Sequence, residues 1–172
     1  ASQVNVELAG KLLSDIREVK SDHEIACLHE AGAAIDAVHN KMHKWLRPGR
    51  TEREVGRDIA EAILAAGHVT VDFVIVASGP NGASPHHELS DRVIQVGEPV
   101  VVDIGGTMPN GYCSDCTRMY SCGAPPNEYL DYYKVLLAAQ TAARDHARPG
   151  VTCESVDTAA REVLVAANLG EQ

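Results

Sequence analysis

The residues with the clearest chemical potential are two aspartates in consecutive predicted strands. Asp103 lies in the apolar run Pro99–Ile104, and Asp115 lies in the alternating segment Tyr112–Tyr120. Because side chains alternate along a strand, a hairpin of these segments can place both carboxylates side by side on one face. Two carboxylates in an apolar sheet repel each other and are costly to bury unless a cation lies between them. A site for two metal ions is the favoured interpretation. The alternative is that Asp103 caps a turn and Asp115 is exposed.

The segments around these aspartates resemble the "pita-bread" metallopeptidases, in the branch of Xaa-Pro dipeptidases and aminopeptidase P; methionine aminopeptidases are relatives. The resemblance runs from about Ile16 to the last residue. It is carried by three motifs: Pro85-His-His-Glu-Leu-Ser-Asp-Arg92, Val101-Val-Asp-Ile-Gly-Gly106 and Gly111-Tyr-Cys-Ser-Asp-Cys-Thr-Arg118. The resemblance implies an α+β domain of two pseudo-symmetric halves. This chain would supply the first half and the helices of the second half.

The resemblance also implies a site for two divalent ions, Mn, Co or Zn, with five protein ligands. Two of these ligands carry over to Asp103 and Asp115. His86 would hold the substrate or move its proton. Thr117 would contact the metal ligands and orient them without binding the metal itself. The other three ligands, one His and two Glu, would lie beyond Gln172. Since two carboxylates cannot fill two coordination spheres, we expect this chain alone to bind metal weakly or not at all, and to be inactive.

The function that the resemblance implies is metal-dependent hydrolysis of the Xaa-Pro bond, in dipeptides or at peptide N-termini. Water activated by the two metals would attack the carbonyl carbon before proline. The expected partners are proline-containing peptides and, in a homo-oligomer, further copies of the chain. Two alternatives remain open: a methionine aminopeptidase, and a binding protein that keeps the fold without catalysis.

Other histidines are weaker candidates. His87 adjoins His86, but only one of the two can face the site from an extended segment, and we favour His86. His39 and His43 have the i, i+4 spacing of a helical metal pair. The pattern offers them no acidic partner, so it favours a solvent-exposed helix face.

The five cysteines do not indicate a second metal centre. Cys113 and Cys116 form a Cys-x-x-Cys pair, but a zinc site needs four ligands from two such units. In a strand these two residues also face opposite sides. An odd number of cysteines at irregular spacing is a poor disulfide framework, so we expect free thiols in a reducing cytosol.

Charge and hydropathy exclude several classes of partner. The formal net charge of −9 argues against a nucleic-acid or an anionic-membrane surface. No apolar run approaches the roughly 18 residues of a membrane span, and the N-terminus lacks the pattern of a signal peptide. We therefore expect a soluble, cytoplasmic protein.

Local signals predict the elements that position these residues. Ser21 with Glu24, and Thr51 with Glu54, have the form of capping boxes. The first begins a helix that we expect to run to Trp45, and the second begins a helix that ends at Gly67. The remaining predicted elements are strands at Val71–Ala77, Pro99–Ile104 and Tyr112–Tyr120, a turn at Gly105–Gly111, and helices at Asn127–Ala147 and Thr152–Ala167.

The chain also contains a predicted internal duplication. Shifting the sequence by 101 positions aligns residues 47–66 with residues 148–167 at eight of twenty positions, including Arg-Pro-Gly and a Thr two residues later. The first copy is followed by strands, so a second set of strands would belong after Gln172. The resulting domain expectation is a linker at residues 1–15, from an N-terminal domain outside this chain, and an incomplete catalytic domain at residues 16–172.

Overall fold

The structure, a computed structural model, describes residues 8–170. Its contacts divide the chain into one unit of residues 8–94 and 100–120 and another of residues 95–99 and 121–170. None of the helices in the described range is both long and apolar enough to cross a membrane. The elements are α1 (Gly10–Glu18), α2 (Asp22–His39), a 3-10 helix (Met42–Lys44), α3 (Glu52–Ala65), β1 (Thr70–Ser78), a second 3-10 helix (Gly79–Ala83), β2 (Pro99–Thr107), β3 (Cys113–Ser121), α4 (Asn127–His146) and α5 (Cys153–Ala166).

Both predicted capping boxes are confirmed. The Ser21 amide donates to Glu24 Oε2 at 2.7 Å, and the Ser21 hydroxyl caps the helix in return. The Thr51 amide donates to Glu54 Oε2 at 2.9 Å, and the Glu54 amide donates to Thr51 Oγ1 at 3.1 Å. These bonds satisfy amides that have no partner inside the helix, so α2 and α3 begin where the sequence predicts.

Helix α2 is shorter than predicted. It ends at His39 instead of continuing to Trp45, and Met42–Lys44 forms a 3-10 helix. The Lys41 amide donates to the Val38 carbonyl at 3.0 Å, an i to i−3 bond that tightens the chain. Met42 stays buried across this change, which explains why the apolar pattern in the sequence continues past the end of the α-helix.

The three strands form one sheet in the order β1-β2-β3, and β1 pairs antiparallel with β2. Strand β2 is longer than predicted, since it continues through Gly105 and Gly106 to Thr107. The turn is correspondingly shorter: the Met108 amide donates to the Tyr112 carbonyl at 2.8 Å, and Gly111 has a φ of 84°. That backbone conformation favours glycine.

The core of the first unit is aliphatic. Helix α3 packs against β1 and turns its apolar stripe towards the sheet. Burial of this kind contributes roughly 1.5–3 kcal/mol for each large aliphatic side chain. The core members are Val55, Ile59 and Ile63 of α3, Val76 of β1, and Val100, Val102 and Ile104 of β2, all fully buried.

The second unit supports the predicted duplication at the level of local conformation. Helices α4 and α5 pack together, and the Ser155 amide donates to the Thr152 cap at 3.1 Å. Thr51 and Thr152 therefore cap helices of 14 residues each, and Gly49 and Gly150 precede them at φ 88° and 92°. The domain assignment stays a prediction; residues 1–7 of the proposed linker lie outside the described residues.

Replacing Gly105 by alanine is expected to destabilise the first unit. A Cβ there would collide with the Ser114 carbonyl oxygen and lie 2.5 Å from Cε1 of Phe73. We expect Gly105→Ala to lower the free energy of unfolding by about 1–3 kcal/mol, measured by urea denaturation. The matched control is Gly32→Ala in α2, where a Cβ meets no atom within 4 Å; it should raise stability by roughly 0.5–1 kcal/mol. A Gly105→Ala protein as stable as the wild type would contradict the packing of Phe73 over this glycine.

Candidate metal centre

Three of the residues singled out in the sequence, His86, Asp103 and Asp115, line one cavity of about 650 Å³ in the first unit. The structure therefore brings both carboxylates to the same place, together with the favoured histidine. Apolar, basic and acidic side chains complete the lining. The other lining residues are Arg53, Phe73, Val74, Ile75, His87, Glu88 and Leu89.

Strand alternation turns the two aspartates towards the cavity. Val102 and Ile104 are fully buried, so Asp103 between them must point to the opposite face of β2. On β3, Ser114 is buried and its neighbour Asp115 is exposed. The outward face of the hairpin therefore carries both carboxylates.

Thr117 contacts Asp103 directly, and its supporting role in a metal site stays a prediction. Its Oγ1 donates to Asp103 Oδ1 at 2.6 Å, which orients one oxygen of that carboxylate. Asp103 is only half buried and Asp115 is exposed, so the desolvation cost that the apolar sequence around Asp103 suggested is smaller than expected. The case for a cation thus depends on the convergence of the two charges in one cavity.

Sequence reasoning missed Glu52, the most deeply buried charge near the cavity. Its side chain is fully buried. Oε1 accepts from the Ser78 amide at 2.8 Å, the Ser78 hydroxyl at 2.7 Å and Asn81 Nδ2 at 3.0 Å. Oε2 accepts from His87 Nε2 at 2.7 Å and from the Ser90 hydroxyl at 2.5 Å. In the sequence Glu52 appears only as an acidic residue in the first turn of a helix, because its partners are 26 to 38 residues away.

These bonds control the charge of Glu52. Burial raises the pKa of the carboxyl, but the hydrogen bonds from Ser90, Ser78 and His87 together outweigh burial and lower the pKa from 4.5 to about 2. Glu52 is therefore ionised throughout the neutral range, and its charge is balanced by hydrogen-bond donors rather than by solvent.

The neighbouring histidines have different surroundings. His87 is half buried and bonded to Glu52, whereas His86 is exposed at the cavity and its side chain makes no hydrogen bond within residues 8–170. Both histidines line the cavity, so the expectation that only one of the two can face it is wrong: Pro85 and His86 form a turn, and side chains do not alternate there as in an extended segment. The role of His86 stays a prediction.

The expected solvent exposure of His39 is wrong. His39 is buried, its Nε2 donates to the Cys116 carbonyl at 3.0 Å, and its Nδ1 accepts from the Tyr120 hydroxyl at 2.9 Å. Burial lowers the pKa of His39, although the bond to Cys116 opposes this effect. The sequence spacing could not show that the far face of β3 packs on α2. His43 is exposed, as predicted.

The described residues supply an incomplete set of metal ligands. Within residues 8–170 no group of three or more His, Cys, Asp or Glu side chains is arranged to hold one ion. All five cysteines fall within this range and are free thiols. Two converging carboxylates at an accessible cavity nevertheless fit one side of a site for hard or intermediate divalent ions, which prefer oxygen ligands.

Comparison with known proteins places this geometry in a family. Residues 26–172 match the sequence model of metallopeptidase family M24. The chain is 55% identical over 164 residues to the probable dipeptidase PepE of Mycobacterium tuberculosis strain H37Rv, covering 95% of this chain and 44% of that protein. It is 36% identical to the Xaa-Pro dipeptidase of Lactobacillus delbrueckii subsp. lactis, with 92% and 44% covered.

A solved structure gives the same result for the fold. The crystal structure of dipeptidase PepE from Mycobacterium ulcerans superimposes with a TM-score of 0.92 at 55% identity, covering 95% of this chain and 44% of that one. This likeness confirms the predicted α+β, pita-bread fold over the N-terminal part of the relative. The chain spans about 44% of the length of these relatives.

The dependence of stability on pH tests whether Glu52 is ionised in the folded protein. Because its folded pKa is about 2 and its ordinary value 4.5, its contribution to stability is complete above pH 4.5 and declines as the pH falls towards 2. We expect Glu52→Gln to be less stable than the wild type by roughly 3 kcal/mol at pH 7, and this gap to shrink by about 2 kcal/mol at pH 3. Urea unfolding followed by Trp45 fluorescence measures both. The control is Glu61→Gln, an exposed change on the same helix that should alter stability little at either pH. A gap that stays constant between pH 7 and pH 3 would contradict an ionised Glu52.

Proposed function

The chain belongs to metallopeptidase family M24, and we propose that it forms part of a peptidase that hydrolyses the Xaa-Pro bond of dipeptides or of peptide N-termini. The observation that carries this proposal is the single cavity lined by Asp103, Asp115 and His86. The Xaa-Pro dipeptidase among the relatives supports the choice of bond. Residues 16–172 would then be part of the catalytic domain.

We assign Asp103 and Asp115 as ligands for divalent metal ions, Mn, Co or Zn. Their carboxylates suit such ions, and the further ligands would come from outside the described cavity. When bound, the metals would supply a hydroxide nucleophile at neutral pH and polarise the scissile carbonyl. The Thr117 hydroxyl would hold Asp103 in a fixed orientation by its 2.6 Å bond, so that the free carboxylate oxygen keeps one direction.

The other cavity residues suit the substrate. His86, exposed at the cavity, would bind the peptide or move its proton. Phe73, Ile75 and Leu89 give the cavity apolar lining that suits a pyrrolidine ring. Since the Xaa-Pro imide has no N–H, contact between proline and these apolar side chains leaves no donor without an acceptor.

The proposal also covers the cellular compartment and the oligomeric state of the protein. Five free thiols suit a reducing compartment, and we propose the cytoplasm. The expected homo-oligomer stays a prediction.

Metal binding tests the assignment of Asp103. We expect the 172-residue chain to bind Mn²⁺ weakly, as measured by titration calorimetry, because two carboxylates provide few ligands. Asp103→Asn should lower that affinity by at least about tenfold, and Thr117→Val by up to about tenfold, since the ligand loses its orienting bond. The matched control is Asp72→Asn. Asp72 accepts hydrogen bonds from Thr70 and Thr107 and does not line the cavity, so its replacement should leave affinity unchanged. Equal affinity in Asp103→Asn and wild type would remove Asp103 from the site.

Peptide hydrolysis tests the function. The assay compares an Xaa-Pro dipeptide, a longer peptide with Xaa-Pro at its N-terminus, and Met-Ala, each with Mn²⁺. It uses the 172-residue chain and the longest polypeptide that its reading frame encodes. We expect the longer form to cleave Xaa-Pro bonds and the 172-residue chain to be inactive.

The histidine variants make this assay specific. His86→Ala should lower kcat by about 10²–10⁴-fold if His86 moves a proton or stabilises the transition state. His29→Ala, an exposed change on α2, should have no effect. Preferential cleavage of Met-Ala would favour a methionine aminopeptidase. Tight metal binding without any cleavage would favour a binding protein.

A further inference from the structure

We propose that Glu52 is the positioning residue for His86: its buried carboxylate ties residues 84–92 to the end of β1 and to α3, and thereby fixes where His86 stands at the cavity. This inference rests on the proposed role of His86 in the peptidase site. Glu52 itself does not line the cavity and would act only through its neighbours.

The carboxylate gathers donors from three separate stretches of the chain. Ser78 ends β1, Asn81 lies in the 3-10 helix that follows, and His87 and Ser90 belong to the segment that carries His86. An ionised carboxylate accepts up to about four hydrogen bonds in well-separated directions, so both Glu52 oxygens are saturated by these partners. Charge-assisted bonds of this kind are roughly twice as strong as neutral ones.

The backbone of α3 adds to the same attachment. The Glu52 amide donates to the Arg92 carbonyl and the Arg53 amide donates to the Ser90 carbonyl, each at 3.0 Å. These two N–H groups belong to the first turn of the helix, where amides have no partner inside the helix. The segment is therefore held at both its side chains and its main chain.

The bond to the Glu52 carboxylate fixes the direction of the His87 ring. His87 Nε2 and Asn81 Nδ2 are 3.2 Å apart, yet both lie within 3.1 Å of Glu52 Oε2. Asn81 Nδ2 can only donate, and His87 Nε2 must donate to the carboxylate, so the two donors share one acceptor. The carboxylate is what holds them together, and a neutral amide in its place would leave donors without an acceptor.

His86 depends on this attachment because its own side chain has none. It makes no hydrogen bond within residues 8–170, so only the backbone of its neighbours sets its position. Pro85 and His86 form a turn directly before His87, and both histidines line the cavity. The bond that holds His87 to Glu52 therefore limits how far the adjoining backbone of His86 can move. A displacement of about 1 Å in a catalytic group can cost 10²-fold in rate, which makes this positioning consequential.

The test measures the order of the segment in the 172-residue chain by NMR. In Glu52→Gln we expect the backbone order parameter of His86 to fall from about 0.85 to below about 0.6. Amide exchange of Ser78 and Arg53 should accelerate at least tenfold more than that of Val102 in the core. Ser90→Ala removes one donor only and should give a smaller change of the same kind. It keeps the test decisive if Glu52→Gln does not fold.

Two control variants separate positioning from general destabilisation. Val55→Ala lowers stability on the same helix without touching the carboxylate, and it should leave the order of His86 unchanged. His87→Gln places a donor near the position of Nε2 and should restore most of the order that His87→Ala loses. A Glu52→Gln protein that is less stable but keeps His86 ordered would overturn the inference.

The activity readout distinguishes this failure from failure of the proposed function. In a form that cleaves Xaa-Pro peptides, Glu52→Gln should lower kcat by about tenfold to a hundredfold with a smaller change in KM. If the segment loosens but no form cleaves such peptides, the proposed function fails and the attachment of His86 stands. If peptides are cleaved and Glu52→Gln keeps full kcat, the positioning role fails.

Discussion

The alternation of β2 is the constraint on which the candidate site depends. Val100, Val102 and Ile104 are fully buried, and Asp103 lies between the last two on the opposite face. A register slip of one residue would expose three aliphatic side chains and turn Asp103 into the core. Because each buried aliphatic side chain contributes roughly 1.5–3 kcal/mol, the packing of the core also fixes the direction of the carboxylate.

A second constraint acts from the other side of the cavity. The segment that carries His86 has few apolar anchors, and a buried carboxylate organises it instead. Burying the Glu52 charge would be costly if any donor were missing, but Ser78, Asn81, His87 and Ser90 together satisfy it. Such a network contributes less net stability than an apolar contact of equal size, yet it accepts only one arrangement of its donors. Apolar packing therefore positions the strand that carries Asp103, and hydrogen bonds to Glu52 position the segment that carries His86.

The sequence predicted what depends on short separations. The capping boxes join residues three apart, and the facing of Asp103 and Asp115 follows from a period of two within a hairpin. It missed what depends on long separations. Glu52 meets partners 26 to 38 residues away, and His39 meets Tyr120, 81 residues away. Composition and spacing give no signal for such pairs, because each residue looks like an ordinary member of a helix face. The family resemblance supplied the fold, because its three motifs belong to segments that are separated in the sequence and occur together in one family.

The exposure of the two aspartates changes how a metal would contribute to this protein. Asp103 is half buried with a hydroxyl on one oxygen, and Asp115 is exposed, so solvent can screen their repulsion without a cation. The hairpin is held by the aliphatic core behind it, and the pair can therefore form before any ion arrives. A bound cation would gain from carboxylates already oriented, which lowers the ordering cost of binding. In the proposed site the aliphatic core would thus orient the two carboxylates, and the metal affinity would depend on how many further ligands join them.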